Sequence, residues 1–503
     1  MGIQKVIGII ENFLAFEFKF MSRRIYFKEG VHSFSGILKF KLISGSITIF
    51  GASVGPEFSS TIFAPIFQLP IPVFSAGPFC IEFFEVTPDE VQSIDLSHYQ
   101  TTPNNFCELF SRVYYSPGNF GPVYPKSLFT KIKEVLNSTK PIRIFLFGDK
   151  GVGKSTLAHF LVNSLKSSLK PSNPNDTFFD YLTSSNMNSE SQFNEPNTFF
   201  SYENDFETKS QSQNSFVNRK ICFIDLDPGQ PSISQPTTIS YTENCPFIFN
   251  SSEHNYHISD HKYSVHTSNL SSTIPSFLQG VSTISKQVDC IPDINYSIVN
   301  SHGWIKNDGL ELQKKMIKHL HPDLLICLYK SSAGQPDIIH PNQLNLEIKT
   351  TKGSQFKNPR SLRYVRYSTY LLSNTSKGFA SIQPFCFPIQ QFNYLFPIPS
   401  FSHLLRNIPR ILNGSLVNLC HDDTEYNSPE NSEALFKISP VKCMECYGMG
   451  IIRSIDISKK CIYIATPETM EVFTNVNTLI YVPKEISLSL FRDIPRFHLT
   501  FAK

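Results

Sequence analysis

One segment constrains this chain more than any other, residues 144–162, which read IFLFGDKGVGKSTLAHFLV. From Gly148 to Ser155 it matches the pattern G-x-x-x-x-G-K-[ST] without a mismatch. A near-continuous apolar run precedes the match, and apolar residues recur at helical spacing from Ala158 to Leu165. The pattern therefore predicts a strand buried on both faces, a glycine-rich loop and a helix.

A loop of this kind binds phosphate, because its glycines let backbone N–H groups point inward and the helix N-terminus adds a positive partial charge. Lys154 would reach the β- and γ-phosphates of a nucleotide, and the Ser155 hydroxyl would bind Mg²⁺. The alternative, a glycine-rich turn without function, is disfavoured by the flanking strand and helix. The predicted nucleotide-binding residues are Gly148, Asp149, Lys150, Gly151, Val152, Gly153, Lys154, Ser155 and Thr156. The motif indicates a nucleotide but does not identify a reaction.

The overall charge limits how the chain can bind nucleic acid. Among 503 residues, 45 Lys and Arg oppose 42 Asp and Glu, which gives a net charge of +3. A general basic coat is therefore excluded, and any contact with RNA must be a local patch. The apolar N-terminal segment carries Lys5, Glu11, Glu17 and Lys19, so it lacks the uninterrupted run of a membrane span.

The eleven cysteines are scattered, which favours reduced thiols in an intracellular protein. Only Cys443 and Cys446 have a spacing typical of metal ligands, and one such pair supplies half of a zinc site. A structural role is the favoured interpretation.

Composition changes along the chain predict an α/β fold, with a central P-loop domain built on a parallel sheet and a β-rich domain on either side. Residues 1–27 would be an N-terminal extension, and residues 28–125, with short alternating apolar segments, a β-rich domain. Residues 126–384 would form the P-loop domain and residues 385–503 the second β-rich domain.

Two polar tracts interrupt the predicted central domain. Residues 171–219 are rich in Asn and Ser and have no helical or strand periodicity, which predicts a disordered insertion. Residues 250–273 look similar.

A second predicted strand ends in acidic residues. Residues 221–230, ICFIDLDPGQ, have the form of a Walker B strand, whose carboxylate holds the Mg²⁺ shell or accepts a proton from the attacking hydroxyl. Ligands of open α/β sheets bind beyond the carboxyl ends of strands, so Asp227 at the end is better placed than Asp225 within the strand. The alternative is an aspartate that caps the turn before PGQ.

Three arginines follow at intervals of three, at Arg360, Arg363 and Arg366. This spacing predicts one side of a helix, which could clamp phosphates or neutralise a transferring phosphoryl group. An ordinary solvated face is the alternative. For Trp304, the only tryptophan, packing in the core and stacking on a base are both open.

These motifs, in this order, resemble the polynucleotide 5′-hydroxyl kinase family. LDPGQ, residues 226–230, is similar to the Walker B signature of the family, and residues 299–328, VNSHGWIKNDGLELQKKMIKHLHPDLLICL, to its N-T-x-G-W segment with the helix and strand that follow. LRYVRYSTYLL resembles the arginine-bearing lid, in which Arg366 and Tyr370 match best. GMGIIRSIDISKKCIYIATP looks like the pre-rRNA-processing branch.

The resemblance implies a kinase domain between two β-rich domains, which transfers the γ-phosphate of ATP to the 5′-hydroxyl of RNA with Mg²⁺. Asp227 would position or deprotonate the hydroxyl, Gln230 would order the metal or its waters, and the lid arginines would stabilise the phosphoryl group. The implied catalytic residues are Lys154, Asp227, Gln230, Arg363 and Arg366, the metal ligands Ser155 and Asp227, and the RNA contacts Trp304 and Thr238. The pre-rRNA branch further implies a nuclear, nucleolar location and a partner endoribonuclease, because cleavage must generate the 5′-hydroxyl.

The chain departs from the family pattern at two places. Ser232 and Thr237 stand where the family has an acidic residue and a glycine, and Thr237 is β-branched where a glycine allows close backbone approach. The stretch between SFLQG and NYSIVN offers only about two helical turns where the family has a full helix. Both departures suggest a second hypothesis, a catalytically weak ATP-binding scaffold of an RNA-processing complex. A GTPase or general NTPase is a third, although the chain lacks the N-K-x-D signature that reads guanine.

Overall fold

The structure, a computed structural model, describes 14 parts of the chain. These are residues 14–16, 23–64, 71–84, 113–117, 124–167, 220–250, 255, 257–330, 338–347, 359–373, 382–397, 407–423, 436–439 and 442–483. The predicted insertion at 171–219 lies outside these residues.

The N-terminal part is a β-structure organised around one long strand. Its strands are β1 (Leu14–Phe16), β2 (Arg23–Phe27), β3 (Gly30–Ser44), β4 (Ile47–Ile49), β5 (Ala52–Val54), β6 (Ser59–Ala64), β7 (Ile71–Ser75), β8 (Phe79–Phe84) and β9 (Val113–Pro117). β3 pairs antiparallel with β6, β7, β8 and β9. β1 and β2 pair with β9 and β8, so this β-structure begins earlier than the predicted boundary at residue 28.

The P-loop part alternates helices and strands, as apolar runs separated by helical patterns predict. Its helices are α1 (Lys126–Leu136), α2 (Lys154–Lys166), α3 (Ile274–Asp289), α4 (Asp308–Leu320) and α5 (Pro359–Leu371). Its strands are β10 (Ile142–Gly148), β11 (Ile221–Leu226), β12 (Thr238–Thr242), β13 (His261–Ser264), β14 (Tyr296–Ser301), β15 (Leu324–Tyr329) and β16 (Gln343–Glu347).

The parallel sheet has the order β16-β15-β10-β14-β11, and helices cover both faces. Side chains alternate along β10: Ile144 and Leu146 pack with α1 and α2, whereas Phe145 and Phe147 pack with α3 and α4. A strand buried on both faces reads as continuous apolar sequence for this reason. The predicted α/β fold with a parallel central sheet is confirmed.

The sheet continues from the P-loop part into the C-terminal part. β12 pairs antiparallel with β11, β13 with β12, and β13 in turn pairs with β21. The C-terminal elements are β17 (Phe385–Pro388), β18 (Asn393–Leu395), α6 (Ile408–Leu412), β19 (Leu416–His421), β20 (Lys437–Ser439), β21 (Met444–Asp456), β22 (Cys461–Ala465) and β23 (Thr478–Val482). None of the described helices is long and apolar enough to cross a membrane.

Two predictions about the central part are wrong. The segment after SFLQG is the second half of α3, a helix of 16 residues that begins at Ile274 and buries Phe277, Val281, Ile284 and Val288 on one side. The helix begins before this segment and continues through Gly280, so residues 281–289 extend a helix that is already formed. The tract 250–273 contains β13, which pairs with β12 and β21, and the buried Ser264 hydroxyl accepts from Asn418 Nδ2 at 2.8 Å.

Candidate active site

The predicted phosphate loop joins β10 to α2. Gly153, in the left-handed region at φ 91°, caps α2, and the helix begins at Lys154. The Lys154 ammonium donates to the carbonyls of Gly148 at 2.9 Å and Asp149 at 3.0 Å. Burial lowers the pKa of Lys154 to about 8, although Asp227 and Asp149 raise it. A buried ammonium on the first residue of a helix, next to the free N–H groups of the helix N-terminus, is suited to bind an anionic ligand.

The two aspartates of β11 have different surroundings. Asp227, at the strand end, accepts from the backbone N–H groups of Gly229 at 3.0 Å and Gln230 at 3.1 Å, both through Oδ1. It is therefore the turn-capping aspartate of the alternative interpretation, and its charge also acts on Lys150 and Lys154. Capping fixes the carboxylate opposite the phosphate loop, so the two interpretations are compatible.

Asp225 is fully buried in β11, and burial raises its pKa to about 7. It accepts from the backbone N–H of Ser232 and from the side-chain amide of Asn300, whose Nδ2 lies 3.0 Å from Oδ1. The same amide nitrogen lies 3.2 Å from the Ser155 hydroxyl. Asn300 thus joins the Walker B strand to the phosphate loop.

The residues near Ser155 fit a magnesium ion. The Ser155 hydroxyl and the carboxylates of Asp225 and Asp227 are hard oxygen donors, which Mg²⁺ prefers. Asn300 contributes the contact that brings the hydroxyl and the Asp225 carboxylate to one place. In the sequence, Asn300 is marked only as a polar residue near the end of an apolar strand.

The arginine lid is formed by α5. Arg366 is only 8% exposed, and its Nε and Nη1 atoms have no hydrogen-bond partner among the residues that the structure describes. Partial burial lowers the pKa of Lys150, and the positive charges of Arg363 and Arg366 lower it further. The lid arginines therefore share one electrostatic environment with the phosphate loop. The side chain of Arg360 lies outside the described residues.

The NSHGW segment packs directly against the phosphate loop. A Cβ on Gly303 would lie 2.8 Å from Cα of Lys150, so only a glycine allows this approach. The half-buried ring of Trp304 lies against Gly309, whose Cβ would come within 2.4 Å of the ring. Trp304 is therefore partly a packing residue, with part of its side chain still accessible.

His302 is a residue of this site that sequence analysis did not select. It is 2% exposed, its Nδ1 accepts from the backbone N–H of Trp304 at 3.2 Å, and Gln313 Nε2 donates to its carbonyl at 2.8 Å. Burial, together with a smaller effect of the Lys154 charge, lowers its pKa to about 3. A neutral imidazole thus supports the Trp304 turn.

The loop between β11 and β12 holds two of the other predicted residues. Gln230 is half-buried beside the Asp227 turn. Thr238 is fully buried and donates its hydroxyl proton to the Gln235 carbonyl at 2.6 Å, a bond within the loop.

Thr237 has a left-handed backbone at φ 71° and is fully buried. This is the conformation that a glycine adopts without strain, in accord with the family pattern. Its hydroxyl oxygen accepts from Asn418 Nδ2 of β19 at 2.9 Å, which links this loop to the C-terminal part.

The Cys443–Cys446 pair lies at the same boundary. Neither cysteine is in a disulfide, and the Cys446 thiol donates to the Gly448 carbonyl at 3.3 Å and accepts from Gln235 at 3.4 Å. The described parts of the chain contain no cluster of three or more His, Cys, Asp or Glu side chains that could hold a metal ion.

Two family models match the chain. The P-loop of the mRNA cleavage and polyadenylation factor CLP1 matches residues 213–370, and the NOL9-like C-terminal domain matches residues 380–487. Among solved structures, Clp1p in a Clp1p–Pcf11p complex has the same fold, with a TM-score of 0.52 and 12% identity over 93% of this chain and 99% of that chain.

Curated relatives carry the same kinase name. The chain is 24% identical over 193 residues to the polynucleotide 5′-hydroxyl-kinase nol-9 of Caenorhabditis briggsae, covering 34% of each chain. It is 22% identical over 373 residues to the polynucleotide 5′-hydroxyl-kinase GRC3 of Kluyveromyces lactis, covering 66% of this chain and 51% of that protein. A polyribonucleotide 5′-hydroxyl-kinase of Methanocaldococcus jannaschii is 21% identical over 398 residues, covering 74% of this chain and 93% of that protein.

The chain spans about a third of the length of nol-9 and about half of that of GRC3. The family models match the second half of the P-loop part, from the Walker B strand to the lid helix, and the C-terminal β-rich part, whereas the phosphate loop precedes the first match. They confirm the resemblance that the motifs indicated: the chain is similar to polynucleotide 5′-hydroxyl kinases, and its C-terminal part is similar to the NOL9-like C-terminal domain.

Proposed function

We propose that this chain is an ATP-dependent kinase that transfers the γ-phosphate of ATP to the 5′-hydroxyl of RNA. The observation that carries the proposal is the buried guanidinium of Arg366, whose Nε and Nη1 have no partner in the described structure. A buried cation without a counter-charge is costly, so this position calls for an anion. A phosphoryl group in transfer at the phosphate loop supplies that anion, and arginine is well suited to bind it.

Transfer of this kind depends on positioning and charge neutralisation rather than on reactive side chains. The Lys154 ammonium now donates hydrogen bonds to two loop carbonyls. With a nucleotide bound, it would donate to the β- and γ-phosphates instead. Asp227, fixed by its turn, would orient the 5′-hydroxyl and take its proton. Ser155 and Asp227 would hold Mg²⁺, which neutralises phosphate charge when bound, and Gln230 would order its waters.

The RNA end would meet the accessible part of Trp304, where a base can stack on the ring. With a net charge of +3, the chain relies on this local contact and on the basic cluster of Lys150, Arg363 and Arg366. This arrangement supports binding of a strand end, because the cations surround the phosphoryl site rather than a long groove.

The match to a NOL9-like C-terminal domain supports a role in pre-rRNA processing, in the nucleus and within it the nucleolus. An endoribonuclease would act before this kinase, since attack of a ribose 2′-hydroxyl on the adjacent phosphate forms a cyclic phosphate and releases the 5′-hydroxyl that the kinase consumes. We also retain 28–125, 126–384 and 385–503 as the proposed domain limits, with the first extended toward the N-terminus by β1 and β2.

A second candidate is an ATP-binding scaffold with weak or no transfer. The left-handed Thr237 favours it, because a strained and fully buried residue replaces glycine in the loop after the Walker B strand. The other argument for this candidate, a shortened helix, does not hold, because α3 is a full helix.

Transfer from γ-labelled ATP to a short 5′-hydroxyl RNA, beside the DNA of the same sequence, tests the proposal. We expect labelled RNA with wild type and with Lys140→Ala, an exposed control, and none with Lys154→Ala. ATP binding without transfer to either oligonucleotide would favour the scaffold. Asp227→Asn at the wild-type rate would show that Asp227 is not the base.

A further inference from the structure

The C-terminal end of the lid helix is held by the C-terminal β-rich part. Tyr370, 3% exposed, donates its hydroxyl proton to Oε1 of Glu468. The same hydroxyl oxygen accepts from the backbone N–H of Met449 in β21 at 2.9 Å. Burial raises the pKa of Tyr370 well above its ordinary value, so the hydroxyl keeps the proton that it donates. One side chain of the lid is thus fixed by two polar partners.

The carboxylate that receives this proton is itself held in place. A Cβ on Gly448 would lie 2.6 Å from Cγ and 2.7 Å from Oε1 of Glu468, so Glu468 reaches Tyr370 only across a glycine. Thr466 donates to the Met449 carbonyl at 2.7 Å and accepts from the Glu468 backbone N–H at 3.2 Å. We call Gly448, Met449, Thr466 and Glu468 the lid cradle.

Tyr370 lies four residues after Arg366 on α5, so both side chains project from the same face of the helix. Neighbouring residues of the helix, Tyr367 and Leu371, pack on Met449 and Ile451 of β21 within one apolar cluster. Apolar packing alone permits a helix to slide or rotate, whereas the two directional bonds of Tyr370 specify one rotation. That rotation determines where the Arg366 guanidinium lies.

We propose that the lid cradle positions Arg366 for phosphoryl transfer, with Glu468 and Tyr370 as positioning residues that do not touch the substrate. This inference rests on the proposed kinase function. It assigns the C-terminal part a role in catalysis, because the rotation of the lid helix is set by β21 and by the loop that follows β22. The motif GMG in that part is then explained by Gly448, which leaves room for the Glu468 side chain.

Three variants test the lid cradle. Glu468→Gln and Gly448→Ala change the cradle itself, and Tyr370→Phe removes the hydroxyl of the lid helix that the cradle binds. Because a displacement of about 1 Å in a positioning group can cost about 100-fold, we expect kcat on 5′-hydroxyl RNA to fall roughly 10- to 100-fold. KM for RNA should stay within about twofold of the wild-type value. The matched control is Glu471→Gln, which removes the same charge from an exposed residue three positions further on and should leave kcat unchanged.

A double variant that combines Glu468→Gln with Arg366→Ala distinguishes an effect on the position of Arg366 from a general loss of stability. In an Arg366→Ala background, adding Glu468→Gln should lower kcat no further, because the group that the cradle positions is already absent. Losses that multiply in the double variant would overturn the proposal, as would wild-type kcat in both Glu468→Gln and Tyr370→Phe. Thermal unfolding of each variant identifies a loss of kcat that merely follows a loss of fold.

A binding readout keeps the test independent of transfer. Arg366→Ala should weaken ATP binding by about tenfold, the loss of a charge-assisted contact to phosphate, and Glu468→Gln should produce part of that loss. The double variant should bind ATP as Arg366→Ala does. If wild type binds ATP but phosphorylates no oligonucleotide, the kinase proposal fails. The ATP affinities of the single and double variants then still test whether the lid cradle positions Arg366. Additive losses of affinity would then overturn it.

Discussion

The side-chain amide nitrogen of Asn300 lies 3.0 Å from Oδ1 of Asp225, which joins the end of β14 to a fully buried carboxylate of β11. Burial raises the pKa of Asp225 to about 7, and the bonds from Ser232 and Asn300 lower it. The bonds therefore offset part of the desolvation of the charged form. Because Asn300 also contacts Ser155, the neighbouring strands and the phosphate loop share one polar network.

Removing this amide should destabilise the fold. We expect Asn300→Ala to lower the free energy of unfolding by about 2–3 kcal/mol, because it leaves a buried carboxylate with one partner fewer. Denaturant titration measures the loss, and Ser297→Ala on the same buried strand is the control, with an expected loss below about 1 kcal/mol. Adding Asp225→Asn should recover part of the stability, and equal stability of Asn300→Ala and wild type would contradict this account.

The single tryptophan reports on the RNA side of the site. Gly309→Ala should displace the Trp304 ring, since the new Cβ would lie 2.4 Å from it. We expect a shift of intrinsic fluorescence toward longer wavelength, a severalfold rise in KM for RNA and an unchanged affinity for ATP. Gly55→Ala, where a new Cβ meets no atom within 4 Å, is the control. A fluorescence shift without any effect on RNA would show that Trp304 serves packing alone.

The features that could be predicted from the sequence are those set by neighbouring residues. The phosphate loop, its flanking strand and helix, and the acidic end of β11 each occupy one continuous segment, in which periodicity and glycine positions carry the information. The expectation for α3 was too short because it concerned only the stretch after SFLQG, whereas the helix begins at Ile274. The segment of β13 is polar, and its place in the sheet depends on pairing with β12 and β21.

The contacts that sequence analysis did not find join distant residues. Asn300 and Ser155 are 145 positions apart, Tyr370 and Glu468 are 98 apart, and Thr237 and Asn418 are 181 apart. Each depends on sheet order and on the register between β13, β21 and β19, which no local pattern encodes. The places of the motif residues at the ends of β10 and β11 were therefore predictable, whereas the distant residues that contact them were not.

Burial of His302 should make the protein sensitive to acid. Its pKa is about 3 in the folded state against an ordinary 6.5, so the unfolded chain binds the extra proton between these values. Stability should therefore be complete above pH 6.5 and fall as the pH drops toward 3, by an amount on the order of 4 kcal/mol.

His302→Asn tests this pH dependence, because its side-chain oxygen can still accept from the Trp304 N–H but does not titrate. Urea unfolding of both proteins between pH 4 and pH 7 should show a shallower loss of stability for the variant. Parallel pH curves for the two proteins would place the acid sensitivity in other groups.

The strain at Thr237 should become visible once its partner is removed. A β-branched residue in the left-handed region costs roughly 1–2 kcal/mol relative to glycine, and the bond from Asn418 offsets part of that cost. Thr237→Gly alone exchanges strain for a lost bond, so we expect a small net effect.

In an Asn418→Ala background no bond remains to be lost, and Thr237→Gly should raise the free energy of unfolding by about 1 kcal/mol. Denaturant titration of the four proteins measures this difference between the two backgrounds. An equal effect in both backgrounds would mean that Asn418 does not compensate the strain. The loop between β11 and β12 would then owe its shape to its own hydrogen bonds rather than to the C-terminal part.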